Sequence, residues 1–275
     1  ADADAARAAV RAQADAGADL IKLWVDDLGG QRPMMAPAVY RAAIEEAHKR
    51  GLKVAAHIHD LAPAADLVAS GLDILAHGVR DQPIGPDLVK AMFAAGTWYI
   101  PTVTLDEAVY YYAEHPKVLQ QPFLRNALSP PLRAQWNDAN WRRTRLADPS
   151  VPVAHQAVAT NLANLRTLRD AGIRIGFGTD AGALPQRVIG FAEHRELELM
   201  VQAGFSPSQA LTTATRDASK LLGLKDRGRI VPGLRADLLV LEADPTRDIL
   251  NTRRIVAVWQ AGVEVGGKIE DYRPR

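Results

Sequence analysis

Cysteine is absent from the 275-residue chain, which excludes disulfides, thiolate metal sites and cysteine nucleophiles together. Lysine is scarce, with eight against twenty-five arginines, so the position of each lysine carries information. A surplus of either charge is lacking too. Thirty-three basic and thirty-two acidic residues leave a formal net charge of +1, whereas a nucleic-acid binder needs a concentrated basic surface. No apolar run approaches the roughly 20 residues of a membrane helix, and no signal peptide opens the sequence. The expected setting is therefore cytoplasmic. The expected partner is a small-molecule substrate, with no nucleic acid and no membrane, and the composition is compatible with a homo-oligomer. What is present is the make-up of a globular protein, 48% hydrophobic and 24% charged. The length allows one large α/β domain or two ordinary ones.

A helix, a glycine and a short apolar strand recur along the chain. An Ala-rich helical stretch over 3–16 and Gly17 precede Asp19–Val25, and a helix over 37–50 and Gly51 precede Lys53–His57. Helices at about 61–70, 85–95 and 152–171, ended by Gly71, Gly96 and Gly172, lead into 73–77, 98–101 and 173–178. This cycle predicts parallel βα units and five strands. The stretch 102–150, with Tyr110-Tyr111-Tyr112, Trp136, Trp141 and several prolines, interrupts it and has the length of a lid or substrate-facing subdomain. Two more helices, about 188–203 and 206–222, precede short β-rich runs at 236–241 and 255–259, which suggest a small β module.

Reactive groups of a parallel α/β barrel gather at the C-terminal strand ends. Lys22 lies in the first apolar strand. His57 ends the second, with His59 two residues on and so on the same face. His77 ends the third, and Asp180 sits between glycines after the last, in Gly178-Thr179-Asp180-Ala181-Gly182. Imidazole and carboxylate suit zinc, manganese or iron. Lysine fits such a set if CO2 converts it to an anionic carbamate. Each residue has a plainer reading, since a lone strand-end histidine is more often a core or surface residue and an aspartate between glycines is more often a turn. Four such residues at four strand ends shift the balance toward a metal. His48, His115 and His155 are expected away from the site, and His194 faces it only as a minority reading. Asp26 and Asp27 follow the lysine strand and could reach the site, with a solvated loop as the favoured expectation.

The segments Ile21-Lys22 with Gly29-Gly30, Val54-Ala55-Ala56-His57, Ala76-His77-Gly78 and Gly178–Gly182 resemble the amidohydrolase superfamily, closest to its imidazolonepropionase-like and prolidase-like branch. So do Ala210–Thr215, Gly228-Arg229-Ile230 and Pro232–Leu241. The resemblance implies a (β/α)8 TIM-type barrel, of which strands four to eight lie here, over residues 1–225 with the insertion 102–150. Residues 226–275 would then be C-terminal strands of a small β-sandwich. It implies one or two divalent metals, zinc foremost, with N6-carboxylated Lys22, His57, His77 and Asp180 as ligands and Asp180 as general base. The family's His-x-His pair at the first strand has no counterpart before Lys22, so the chain is expected to be the C-terminal part of such an enzyme.

The activity implied is hydrolysis of an amide, carbamate or peptide-like C–N bond by metal-activated water. Arg80, three residues after His77, is placed to pair with a substrate carboxylate, with an ion pair to Asp81 or Asp60 as the competing expectation. His59 and Tyr99 are the other candidate substrate contacts, and Tyr99 with Tyr110–Tyr112 would shape an aromatic pocket unless these rings serve packing. Two alternatives stay open: mononuclear deaminase or cyclic-amidase chemistry on the same barrel, or an inactive fragment binding at most one metal.

Overall fold

The computed structural model describes residues 2–267. The five expected strands form: β1 (Leu20–Trp24), β2 (Lys53–His57), β3 (Ile74–Ala76), β4 (Trp98–Ile100) and β5 (Arg174–Ile175). Helices α1 (Ala3–Asp15), α2 (Pro37–Lys49), α3 (Leu61–Ala69) and α4 (Pro86–Ala95) precede the first four. The sheet order is β1-β2-β3-β4-β5, with every pair parallel. Such strictly sequential order has no reversal point, so each connection steps in one direction. This is the construction of a barrel wall, in contrast to a doubly wound sheet.

Local chemistry explains the boundaries. The Asp2 side chain accepts the Ala5 N–H at 2.8 Å and caps α1. Helix α4 stops at Gly96, whose φ of 69° is left-handed, and a Cβ there would stand 3.1 Å from Arg174 Nη1. Val54, Ala55 and Ala56 of β2 are all buried, as a parallel strand covered on both faces requires. Asp73 ties the sheet to α2, accepting the Val54 N–H at 2.8 Å and lying 2.9 Å from His48 Nε2.

The chain divides into two compact units. One comprises the residues up to Pro101 with Ala163–Ile175; the other comprises Thr102–Leu162 with the residues from Gly176 on. The insertion is helical throughout much of its length. It holds α5 (Thr104–Glu107), α6 (Tyr111–Glu114), α7 (Pro122–Ala127), α8 (Pro130–Asn137) and α9 (Ala139–Leu146), followed by the long α10 (Ser150–Asp170). Its aromatics pack against one another. Tyr112 and Trp136 are buried and stacked at 4.3 Å, in one cluster with Leu119, Leu124 and Phe191. Tyr110 stacks on His155 at 3.6 Å.

Helices α11 (Phe191–Gln202), α12 (Pro207–Thr212) and α13 (Ala218–Leu221) follow, the last two joined by a π-helical turn over Thr213–Asp217. The wholly buried Glu196 of α11 accepts the N–H groups of Val103 and Thr104 at 2.9 and 2.8 Å, which anchors the start of the insertion. The expected β module appears as a three-stranded antiparallel sheet, β6 (Leu238–Leu241), β7 (Ile255–Gln260) and β8 (Val263–Gly266). Residues 268–275 of the expected 226–275 segment lie outside the described residues. Among the described residues no helix is long and apolar enough to cross a membrane.

Candidate metal centre

Strand alternation builds the site from β1. Ile21, Leu23 and Val25 are buried, so the residues between them, Lys22 and Trp24, share the opposite face, and Asp26 continues that series beyond the strand. Register does the next step. Trp24 pairs with His57 of β2, and the Val25 N–H continues the ladder to the His57 carbonyl at 2.9 Å. His57 in turn pairs with Ala76, which places His77 one residue beyond β3 and next to it. Ladder bonds persist past the strands, from Ile58 N–H to the Ala76 carbonyl at 3.2 Å and from Arg80 N–H to the His59 carbonyl at 3.0 Å.

Three of the four expected ligands meet here. Lys22 Nζ lies 3.4 Å from His77 Nε2, and the His57 and His77 ring centroids are 4.6 Å apart at an interplanar angle of 57°. Both histidines are buried. His77 has a φ of 78°, a left-handed conformation rare for a side chain without special local support and concentrated at functional sites. Gly78 follows, also left-handed.

Two further residues complete it, Trp24, which the sequence did not single out, and Asp26, for which a solvated loop was the favoured expectation. Trp24 stacks on the His57 ring at 3.7 Å and 9°, and its indole N–H donates to the Asp26 carbonyl at 3.1 Å. Asp26 is not on a solvated loop. It is buried, with Oδ2 2.8 Å from His57 Nε2 and Oδ1 accepting the Leu28 N–H at 2.7 Å. Burial works to raise its carboxyl, but the bonds to His57 and Leu28 outweigh that and hold it below the usual carboxylate range. Burial likewise sets the direction for His57, lowering it despite Asp26, with the charges of Arg80 and Lys22 adding to the effect. Period two was the available signal: Lys22, Trp24 and Asp26 fall on one face by counting alone.

The remaining candidates have other places. His59 is half-exposed, with Nδ1 2.6 Å from Asp60 Oδ1. Arg80 is buried and donates from Nη2 to the Ile58 carbonyl at 3.1 Å; nearby, Asp60 lies against His59 and Asp81 accepts the Leu61 N–H. Tyr99 has no exposed surface. Its hydroxyl accepts the Val79 N–H at 2.9 Å, and burial pushes its ionisation above the ordinary phenol range, so it serves as a neutral support beneath the loop after β3. Asp180 belongs to the other unit, where it has a φ of 58° and pairs with Arg187. His194 lies 2.9 Å from the Thr252 hydroxyl, and burial, helped by the Arg253 charge, lowers it to about 4.

Among the described residues, no three His, Cys, Asp or Glu side chains stand close enough to hold a metal ion. The set at the ends of β1–β3 is two imidazoles and an amine, and an ammonium would repel a cation. Taken as a carbamate, Lys22 turns that set into three donors, one of them anionic, which suits zinc or a similar divalent metal. On that condition the residues fit.

Comparison with known proteins gives the same family. A match to the Amidohydrolase family spans residues 3–269. The imidazolonepropionase of Deinococcus deserti is 39% identical over 104 residues, which is 36% of this chain and 26% of that protein. An uncharacterized protein of Mycobacterium tuberculosis is 27% identical over 251 residues, covering 86% of this chain and 55% of that one. Among solved structures, a Xaa-Pro dipeptidase with bound methionine aligns with a TM-score of 0.71 at 25% identity, covering 97% of this chain and 59% of its own. The A. niger ochratoxinase shares the fold, with a TM-score of 0.70 at 22% identity over 97% of this chain and 55% of its own. The chain thus spans about half the length, or less, of the relatives it matches. With strand-end ligand types, sequential parallel sheet and near-complete sequence match all in agreement, the chain belongs to the amidohydrolase family.

Proposed function

We propose that this chain carries the strand-end ligands of a metal-dependent hydrolase that cleaves an amide, carbamate or peptide-like C–N bond of a small substrate. The observation behind this reading is the meeting of Lys22, His57 and His77 at consecutive strand ends, with Nζ 3.4 Å from His77 Nε2 and the two rings 4.6 Å apart. Lys22 takes part as a carbamate: its neutral amine nitrogen bonds to the carbon of CO2 and releases a proton, leaving an anionic carboxylate on the side chain. His57 and His77 contribute neutral ring nitrogens. A bound divalent cation, zinc in the first instance, supplies Lewis acidity that lowers the pKa of water and polarises a carbonyl.

On the sequence resemblance, Asp180 would be a ligand of a second cation and the general base, taking a proton from water and returning it to the leaving nitrogen. His59, half-exposed two residues beyond β2, contacts the substrate. Arg80 and Tyr99 act from beneath, the first as a fixed positive charge near His57 and the second through the Val79 backbone. The pairing of Asp180 with Arg187 favours a second reading, in which a single cation is held by Lys22, His57 and His77 while Asp180 serves only as base.

The test is metal content by mass spectrometry after purification with bicarbonate, beside Lys22→Ala, followed by assay on Xaa-Pro dipeptides and N-acylated amino acids. Stoichiometric metal that falls sharply in the variant supports the reading. No metal in either protein overturns it.

A further inference from the structure

We infer that Asp26 is a positioning residue that fixes His57 in the tautomer with its proton on Nε2, leaving Nδ1 as the ring nitrogen able to bind a metal. This rests on the reading of His57 as a ligand. A carboxylate offers only acceptors, so what faces each of its oxygens must donate. Oδ1 accepts the Leu28 N–H at 2.7 Å, which pins the carboxylate plane, and Oδ2 faces His57 Nε2 at 2.8 Å. The Nε2 proton therefore lies between ring and carboxylate, and Nδ1 keeps its lone pair. Among the described residues nothing hydrogen-bonds to Nδ1.

The ring is also held from one face and through its backbone. Trp24 covers one face at 3.7 Å, and its indole N–H is tied to the backbone of the same Asp26. The His57 backbone is paired with β1 on one side and β3 on the other. One turn of chain after the lysine strand thus orients a ligand on the neighbouring strand by face, edge and proton. Outer partners of this kind fix ring orientation and tautomer, and their loss typically weakens metal binding about 10–100-fold.

Asp26→Asn discriminates sharply because it changes one atom. The carboxamide has a single acceptor, which the Leu28 N–H claims. Its NH2 then faces His57 Nε2, which must become an acceptor, and the ring proton moves to Nδ1. Flipping the amide instead sets two donors, the NH2 and the Leu28 N–H, against each other.

The tautomer is read directly by long-range 1H–15N spectra of the metal-free protein labelled at histidine, with His57 assigned by its absence in His57→Gln. Zinc affinity is measured in parallel by titration of the metal alone in bicarbonate. The expected result is an Nε2–H ring in the native chain, an Nδ1–H ring in Asp26→Asn, and zinc binding about 10–100-fold weaker in the variant. A native Nδ1–H ring overturns the proposal, whether or not the chain binds metal. An unchanged zinc affinity in Asp26→Asn overturns the role of Asp26 but leaves the metal site standing. Failure of the native chain to bind zinc, with the tautomers as expected, overturns the metal reading of His57 and confines Asp26 to orienting the ring.

Discussion

His77 combines two demands that rarely coincide, a ligand-type side chain and a left-handed backbone with φ of 78°. Asparagine tolerates that region, whereas a β-branched residue meets its own carbonyl there at a cost of about 1–3 kcal/mol. His77→Val should therefore melt clearly below His77→Asn in the presence of a chelator, while both lose zinc. Equal melting of the two variants would place His77 in ordinary backbone space. His194 offers a residue-level test by pH. Its folded value of about 4 lies below the ordinary 6.5, so the fold prefers the neutral ring. That contribution to stability is fully present above about pH 6.5 and is lost as pH falls through about 4, to the extent of at most about 3 kcal/mol. His194→Gln should flatten the acid limb of an unfolding free-energy profile across this window. Parallel acid limbs for the two proteins would remove His194 from the cause.

At the scale of elements, the expected helix–glycine–strand cycle matches the five parallel strands within a few residues. Periodicity succeeds there because each strand is short, apolar and preceded by a helix that a glycine ends. It fails in the insertion, where α7 and α8 start on Pro122 and Pro130 and run only a turn or two, too short for a helical period to register. What holds that region is a contact distant in sequence. The Glu196 carboxylate accepts from Val103 and Thr104 together, and burial raises its carboxyl to about 7 against those donors. In Glu196→Gln the carboxamide satisfies one N–H and turns its own NH2 toward the other. Urea unfolding at pH 8 should show a loss of about 1–3 kcal/mol, with zinc content unchanged. A variant as stable as the native chain would mean that the Val103 and Thr104 N–H groups find other acceptors.

For the whole molecule, the division into two units assigns the strand-end lysine and histidines to one and Asp180 to the other. If the first unit alone holds the cation, zinc with bicarbonate should raise the melting temperature of the native chain and leave Lys22→Ala unmoved. At a free concentration about 100-fold above the dissociation constant, binding stabilises by about 2.7 kcal/mol. A shift of the same size in Lys22→Ala would show that the metal binds elsewhere. The same scale explains why net charge, composition and apolar run length are silent on the site. They are sums over the chain, and the chemistry sits in a handful of side chains.

Sequence by itself determined the architecture of the sheet, the residue types at its strand ends and the family, because each depends on spacing along one chain and strand alternation turns spacing into a face. Lys22, His57 and His77 could be named for that reason. Tertiary structure decided which of those residues meet and what stands behind them. Asp26 was counted as a loop residue until strand register set it against a histidine thirty-one positions away. Tyr99 and Arg80 could be named from residue type, but only the packing of neighbouring strands shows the Tyr99 hydroxyl accepting from Val79 and Arg80 donating to the Ile58 carbonyl. Pairing across strands depends on register, rotamer and burial together, and none of these is carried by the one-dimensional distance between residues.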